Sequence, residues 1–300
     1  MHTDPLYQDS MYKIIRDATH GYYRLSPVPT RDELKHYYDK EFYNTNYNKQ
    51  INDSSKKVQE EESEFFALQH EDVVEILHKE APGKRLIDIG CGYGTFLKFC
   101  QKRGFEVFGL DPSSDAVHST QKMGIEAVEA DIEDLKDIVH KKYDTAVMLN
   151  VFEHLREPYT ILKDIREHIL EDDGVLVIRV PNEFNALQTI ANQAYNLKSW
   201  WVSAPQHINY FTIPHLVRLL QNNGFNVFLK EATFPLEMFI LFGEQYVGNP
   251  EVGKIIHNKR VLFDKTLHQY DNAFKRQLYR SFAELGIGRE IVVYAKKTTH

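Results

Sequence analysis

The run Arg85-Leu-Ile-Asp-Ile-Gly-Cys-Gly-Tyr-Gly94 constrains the fold more than any other part of the chain. It is an apolar strand that ends on an acid and opens into glycines at alternate positions. Glycine admits positive φ and lets a ligand approach the backbone with no Cβ in the way. Thr95, Phe96, Leu97 and Phe99 then start a helical pattern, so the turn lies between a strand and a helix N-terminus. In open α/β sheets that junction binds nucleotide-like ligands. The spacing is G-x-G-x-G, whereas dinucleotide sites use G-x-G-x-x-G.

After Gly94 strand and helix alternate, the pattern of a doubly wound sheet. Glu106-Val-Phe-Gly-Leu-Asp111 reads as the second strand, Glu126-Ala-Val-Glu-Ala-Asp131 as the third and Tyr143-Asp-Thr-Ala-Val-Met-Leu149 as the fourth. A helix is expected over 113–123. Another starts at Pro158 and carries Tyr159, Ile161, Leu162, Ile165 and Ile169 at helical spacing. Val175-Leu-Val-Ile-Arg-Val180 reads as the fifth strand. Leu216, Val217, Leu219 and Leu220 belong to a helix stopped at Asn223-Gly224. Phe225-Asn-Val-Phe-Leu229 and Gly288-Arg-Glu-Ile-Val-Val-Tyr-Ala295 supply the sixth and seventh strands.

With Asp88 just before its first glycine, the turn resembles motif I of the class I S-adenosylmethionine (SAM) methyltransferases. The resemblance spans roughly residues 60–230 and 288–297. It implies a Rossmann-like seven-stranded α/β sheet flanked by helices, its last strand antiparallel beside the sixth. Within that resemblance Asp88 orients the turn and receives the methionine ammonium, directly or through water. Asp111 accepts from the ribose hydroxyls, for which its two acceptor oxygens suit it. Asp131 accepts from the adenine amino group while Ile132 packs on the ring. Gly90, Cys91, Gly92, Tyr93, Gly94, Pro112 and Asn150 complete the expected cofactor contacts. An NAD enzyme also places an acid where Asp111 stands; the third glycine, Asp88 and Asp131 favour SAM.

Leu149-Asn-Val-Phe-Glu-His-Leu155 follows the fourth strand, and its Glu153-His154 pair resembles the "EH" of small-molecule methyltransferases, ubiquinone-pathway O-methyltransferases among them. Histidine is suited to take a hydroxyl proton near neutral pH. His154, with Glu153 beside it, is therefore a candidate base; the alternative is that both orient the loop under the cofactor. His207, in Pro205-Gln-His-Ile-Asn-Tyr-Phe-Thr212, is the second candidate, again against a purely loop-fixing role. Thr212 and Pro214 read as the N-cap and first turn of the helix that follows.

The expected organisation is an N-terminal extension or lid over 1–57 and a methyltransferase domain over 58–300. Within it, 183–211 (with Trp200, Trp201, His207, Tyr210 and Phe211) and a helical insertion over 235–285 lie on the acceptor side. Tyr37, Tyr38, Phe42, Tyr43 and Tyr47 form either a lid over the sulfonium or the packed face of a helix. Pro29–Tyr43 resembles a segment that in some relatives follows a zinc-binding cysteine module. This chain lacks those cysteines, so no metal is expected. Lys254, Lys259, Arg260, Lys265, Lys275, Arg276 and Arg280 make 254–280 locally basic, either to meet a phosphorylated or nucleotide-linked acceptor or as a solvated face. Residues 243–250, with the helix behind them, resemble methyltransferases of bacterial surface-polysaccharide clusters.

A hydrophobic content of 42% can build a substantial core, and no apolar run is long enough to span a membrane. Nothing at the N-terminus reads as a signal peptide. The two cysteines, Cys91 and Cys100, make neither a disulfide framework nor a metal site, which favours a cytoplasmic location. A net charge of −7 argues against general nucleic-acid binding. The expected activity is methyl transfer to a small-molecule acceptor, a sugar or sugar phosphate ahead of a quinone-like phenol. A SAM-binding subunit without catalysis stands as the alternative of a different class.

Overall fold

The computed structural model describes residues 7–8, 11–36 and 63–298. The aromatic cluster from Tyr37 to Tyr47 lies outside them. Three short strands open the chain: β1 (Tyr7–Gln8), β2 (Lys13–Arg16) and β3 (Tyr23–Ser26). The alternating part follows with β4 (Arg85–Ile89), β5 (Glu106–Asp111), β6 (Glu126–Glu129), β7 (Tyr143–Leu149) and β8 (Leu170–Pro181). Then come β9 (Asn209–Tyr210), β10 (Phe225–Ala232) and β11 (Glu290–Lys297).

Seven of these form one sheet in the order β10-β11-β8-β7-β4-β5-β6. β4 to β8 run parallel, and β11 is antiparallel to both β8 and β10. The strands read as apolar runs because both faces are covered. Successive side chains point to opposite faces, so neighbours divide between two cores. Ile87, Met148, Ile178 and Val293 pack on one side with Ile161, Leu162, Leu216 and Phe225. Leu86, Val147, Val177 and Val292 pack on the other with Val73, Leu77, Phe96 and Leu97. Strand order reverses between β4 and β7, and that switch point places the ends of both strands over one crevice.

The second sheet, in the order β1-β2-β3-β9, had no counterpart in the sequence reading. β9 comes from the loop beyond β8, with Tyr23 opposite Tyr210 and Arg24 opposite Asn209. Ile14, Leu25 and Tyr210 are buried between its strands and the loop. The N-terminal residues are thereby tied to the loop that carries His207.

Residues 235–285 hold the helices Glu237–Leu241 and Pro250–Glu284, the second kinked at Asp271. Its basic residues do not form one solvated face. Arg260, Lys275 and Arg276 are buried. Lys275 pairs with Asp72 at 2.7 Å, and Arg276 Nη2 reaches Glu231 at 2.7 and 2.9 Å. Charges that read as a solvated face or a ligand surface instead clamp this helix, through Lys275 and Arg276, to the helix Ser63–Glu80 and to β10. Thr212 takes the expected N-cap position before Ile213–Asn222, with Pro214 in the first turn, but its side chain makes no capping bond.

Candidate active site

The turn after β4 is built from glycines with different duties. Gly90 has φ 82°, and its amide donates to the Leu110 carbonyl at 2.7 Å. A Cβ there would lie 2.4 Å from Val151 Cγ2. Gly94 has φ 72°, and a Cβ would lie 2.6 Å from Thr120 Oγ1. Gly92 differs: at φ 51° its Cβ position meets nothing within 4 Å. The outer two let the turn pack against protein, and the middle one leaves open space over it.

Two acids stand beneath the turn. Asp111 accepts from the Gly92 amide through Oδ2 at 2.8 Å and from the Ser113 amide through Oδ1 at 2.9 Å. It thus fixes both the glycine turn and the start of the next helix, while each oxygen keeps a lone pair. Burial raises its pKa, and these two bonds oppose the rise. Asp88 is buried, and its Oδ1 has no partner. Burial, with Asp111 beside it, pushes its pKa up to about 8. An orphaned buried carboxylate oxygen is what an incoming ammonium would satisfy, so the residues fit the cofactor that the glycine turn implies.

The raised pKa carries a testable consequence for the ligand-free chain. The folded state holds the Asp88 proton more tightly than the unfolded state between the ordinary value of 3.8 and about 8. The stability this contributes is complete below that window and is lost as pH rises through it. Relative to Asp88→Asn, the wild-type chain should lose about 1.4 kcal/mol per pH unit between pH 5 and 8. Urea unfolding of both proteins across that range measures the difference; parallel curves would mean that Asp88 is already ionised.

The remaining expected contacts are distributed unevenly. Cys91 is buried, which pushes its thiol up, and Tyr93 is half-buried. Pro112 is exposed after β5. Asn150 sits at φ 59° after β7 and donates to Glu290 through its side chain at 3.2 Å. Asp131 caps the short helix Ile132–Asp134 by accepting from the Glu133 amide at 2.9 Å. Ile132 packs against the core. Arg31, which the sequence reading passed over, lies on Asp131 Oδ2 at 2.8 Å and on Asp134 at 2.7 Å. The acid expected on the adenine side therefore already holds a guanidinium.

Beyond β7, the sequence candidates come together. Phe152–His154 forms a short 3-10 turn, and the loop before β9 is laced to it. The Ile208 amide donates to the Glu153 carbonyl at 2.9 Å, and Asn209 Nδ2 donates to the Leu155 carbonyl. The imidazoles of His154 and His207 meet edge-on, 5.1 Å between centroids. His154 Nδ1 bonds the Gln206 carbonyl at 2.7 Å and is therefore the protonated nitrogen, leaving Nε2 as an acceptor. Its pKa falls to about 4, through burial and then His207. Burial also opposes charging His207, but Glu183 and Glu153 outweigh it and raise the pKa. Glu153 is buried and its pKa rises to about 8 for that reason. Glu183, absent from the sequence candidates, brings Oε1 to 3.4 Å from His207 Nδ1. Tyr210 lies tilted against His207 at 6.2 Å between centroids, and Phe184 meets Tyr210 and Trp201 edge-on at 5.8 and 5.4 Å.

A seven-stranded sheet with its last strand antiparallel, a glycine turn at the switch point and acids on the first two strands together define a class I SAM-dependent methyltransferase architecture. The methyltransferase-domain family matches residues 60–230. The chain belongs to that family. It is 29% identical over 87 residues to the ubiquinone biosynthesis O-methyltransferase of Hahella chejuensis, a match covering 27% of this chain and 37% of the relative. With the Aeromonas salmonicida enzyme of the same name it shares 24% over 149 residues, or 47% and 63% of the two chains. The chain thus spans less than two thirds of the length of these curated relatives. Among solved structures, the plantazolicin methyltransferase BpumL in complex with SAH aligns at a TM-score of 0.53 and 16% identity, covering 89% of this chain and 96% of that one. A putative methyltransferase bound to the Haloferax volcanii Trm112 activator aligns at 0.52 and 13%, covering 85% and 98%. At these identities the two structures speak to fold. Among the described residues, no helix is long and apolar enough to cross a membrane.

Proposed function

We propose that the chain transfers the methyl group of SAM to a hydroxyl oxygen of a small-molecule acceptor bound over Glu153, His154 and His207. The carrying observation is that two imidazoles converge on the end of β7, beside the β4 glycine turn. SAM supplies a methyl group activated on a sulfonium. The protein has to align the acceptor, exclude water and dispose of one proton. Asp88 receives the ammonium, Asp111 the ribose hydroxyls, and Asp131 with Ile132 the adenine, Arg31 flanking it. His154 Nε2 is the nitrogen left to accept a proton, because Nδ1 is committed to Gln206. Residues 58–300 form the transferase unit in this reading. The 183–211 stretch is the acceptor wall, and the N-terminal strands brace it through β9.

For the acceptor, a quinone-like phenol is preferred to the sugar or sugar phosphate expected from sequence. The matched relatives bear ubiquinone O-methyltransferase names. The wall beside His207 is aromatic. The basic helix that suggested a phosphorylated acceptor turns its buried cations onto protein acids, Lys275 and Arg276 onto Asp72 and Glu231 and Arg260 toward Asp264 and Glu290.

Calorimetric titration with S-adenosylhomocysteine (SAH), with NADH as the parallel ligand, tests the cofactor half. SAH binds and NADH does not. Asp111→Ala weakens SAH binding by about 1–3 kcal/mol, roughly 5- to 150-fold, by removing an acceptor that also holds the Gly92 amide. NADH binding in place of SAH, or an unchanged Asp111→Ala affinity, would overturn these assignments.

A further inference from the structure

Asp131 is engaged on both carboxylate oxygens by the protein itself. Oδ1 accepts from the Glu133 amide at 2.9 Å, and Oδ2 accepts from Arg31 Nε at 2.8 Å. The other arm of the same guanidinium, Nη2, reaches Asp134 at 2.7 Å. Each Asp131 oxygen keeps a second lone pair, so the carboxylate is held in one orientation without being used up. Its side chain is 35% exposed, which leaves it within reach of a ligand.

Arg31 is in turn placed by the chain around it. It opens the helix Arg31–His36, whose first turn is fixed by Thr30 and Glu33: Glu33 Oε2 accepts from the Thr30 amide at 2.7 Å and from its hydroxyl at 2.8 Å. The Pro29 carbonyl accepts from Arg156 Nε at 2.9 Å, and Arg156 Nη1 donates to Glu133 at 3.2 Å. Arg156 stands two residues past His154, and its carbonyl accepts from Arg24 of β3 at 3.0 Å. The turn that carries Asp131 is thus lashed to the N-terminal segment and to the turn after β7. An ion pair as exposed as Arg31 with Asp134 adds little to fold stability. Its effect is on the carboxylate it aims.

We infer that Arg31 is a positioning residue for the purine of the cofactor, holding Asp131 as a fixed acceptor for the 6-amino group, with residues 29–33 as the outer edge of that pocket. The inference rests on the adenine role of Asp131. An acceptor that is already ordered spares the cost of ordering it on binding. It also selects the base. An adenine 6-amino group donates to the carboxylate, whereas the 6-oxo group of hypoxanthine sets a second acceptor against it. A carboxylate free to swing away would lose much of that discrimination.

The test compares SAH with S-inosylhomocysteine, its 6-oxo counterpart, by calorimetric titration of the full chain and its variants. The wild-type chain should prefer SAH by about tenfold or more. Asp131→Ala, which checks the underlying reading, should lose most of that preference. Arg31→Ala should bind SAH about 3- to 10-fold more weakly and lose a similar factor of preference, with its melting temperature near that of the wild type. Arg31→Lys keeps the charge without the two-armed reach and should recover only part of both. Asp134→Asn, which frees one arm of the guanidinium, should shift both readings the same way by less, and it stands in if Arg31→Ala fails to fold. If Arg31→Ala weakens both ligands equally, its role is structural and the inference is overturned. Tighter SAH binding in Arg31→Ala overturns it too, because the guanidinium would then compete with adenine. Both results leave the Asp131 assignment standing. Wild-type affinity and preference in Asp131→Ala would instead overturn that assignment, and the inference with it.

Discussion

Gly90→Ala is expected to destabilise the chain by about 2–6 kcal/mol and to remove measurable SAH binding, while Gly92→Ala stays folded and loses affinity alone. The first figure combines two costs. An L-residue held at φ 82° stores about 1–3 kcal/mol of backbone strain, and a methyl forced 2.4 Å from Val151 Cγ2 adds about 1–3 kcal/mol of overpacking. Val151 cannot give way freely, because it is buried and leads directly into the turn that carries Glu153 and His154. Moving it transmits the strain from the cofactor turn to the acceptor side. At Gly92 the φ of 51° costs about 1–2 kcal/mol, but the added methyl enters open space. If that space holds the cofactor, affinity should fall tenfold or more with a small change in melting temperature. Thermal unfolding and SAH titration of the two variants separate these effects. Equal melting of Gly90→Ala and wild type would show that Val151 yields, and unchanged affinity in Gly92→Ala would show that the ligand sits elsewhere.

The contrast between those glycines also marks what a linear reading can reach. The run from Arg85 to Gly94 announced a strand, a turn and a helix because each is specified by residues within a few positions. β5 and β7 match their expected limits for the same reason, as apolar runs bounded by turn residues. β8 begins at Leu170, five residues before the apolar run at Val175, because Leu170 pairs with Tyr143 across a break in register. The polar residues 171–173 hide that start. Nothing local announced the second sheet either: β2 and β3 are four residues each, and their edge partner β9 lies far along the chain. Glu183 escaped notice for a related reason, since it meets His207 only once the loop folds back onto the end of β8. The basic helix was misread because the acids that bury its charges, Asp72 and Glu231, are 203 and 45 residues from their partners. Arg31 reaches Asp131 across a similar gap. Contacts set by topology were invisible, whereas contacts set by spacing were legible.

The His154→Ala, His207→Ala double variant is expected to lose about 10²- to 10⁴-fold in methyl transfer while binding SAH as the wild type does. The acids and glycines proposed to hold the cofactor lie at or just past the ends of β4, β5 and β6, and neither imidazole bonds the glycine turn, so SAH affinity is expected to stay unchanged. Transfer from labelled SAM to a catechol probe, with a hydroxylated sugar in parallel, provides the readout. The single variants carry the finer information. If one ring is a free base and the other merely shapes the loop, one single variant shows the full loss and the other stays near wild type. If the rings act as a unit, as their 5.1 Å edge contact suggests, with Glu153 beside His154 and Glu183 beside His207, each single loss approaches the double, because removing either member disables the pair. Turnover retained in the double variant would move the proton's destination away from this centre, or mean an acceptor whose nucleophile needs none removed. Loss of SAH binding alongside activity would instead place these histidines in the scaffold of the loop, where Gln206 and Asn209 already hold it to the turn after β7.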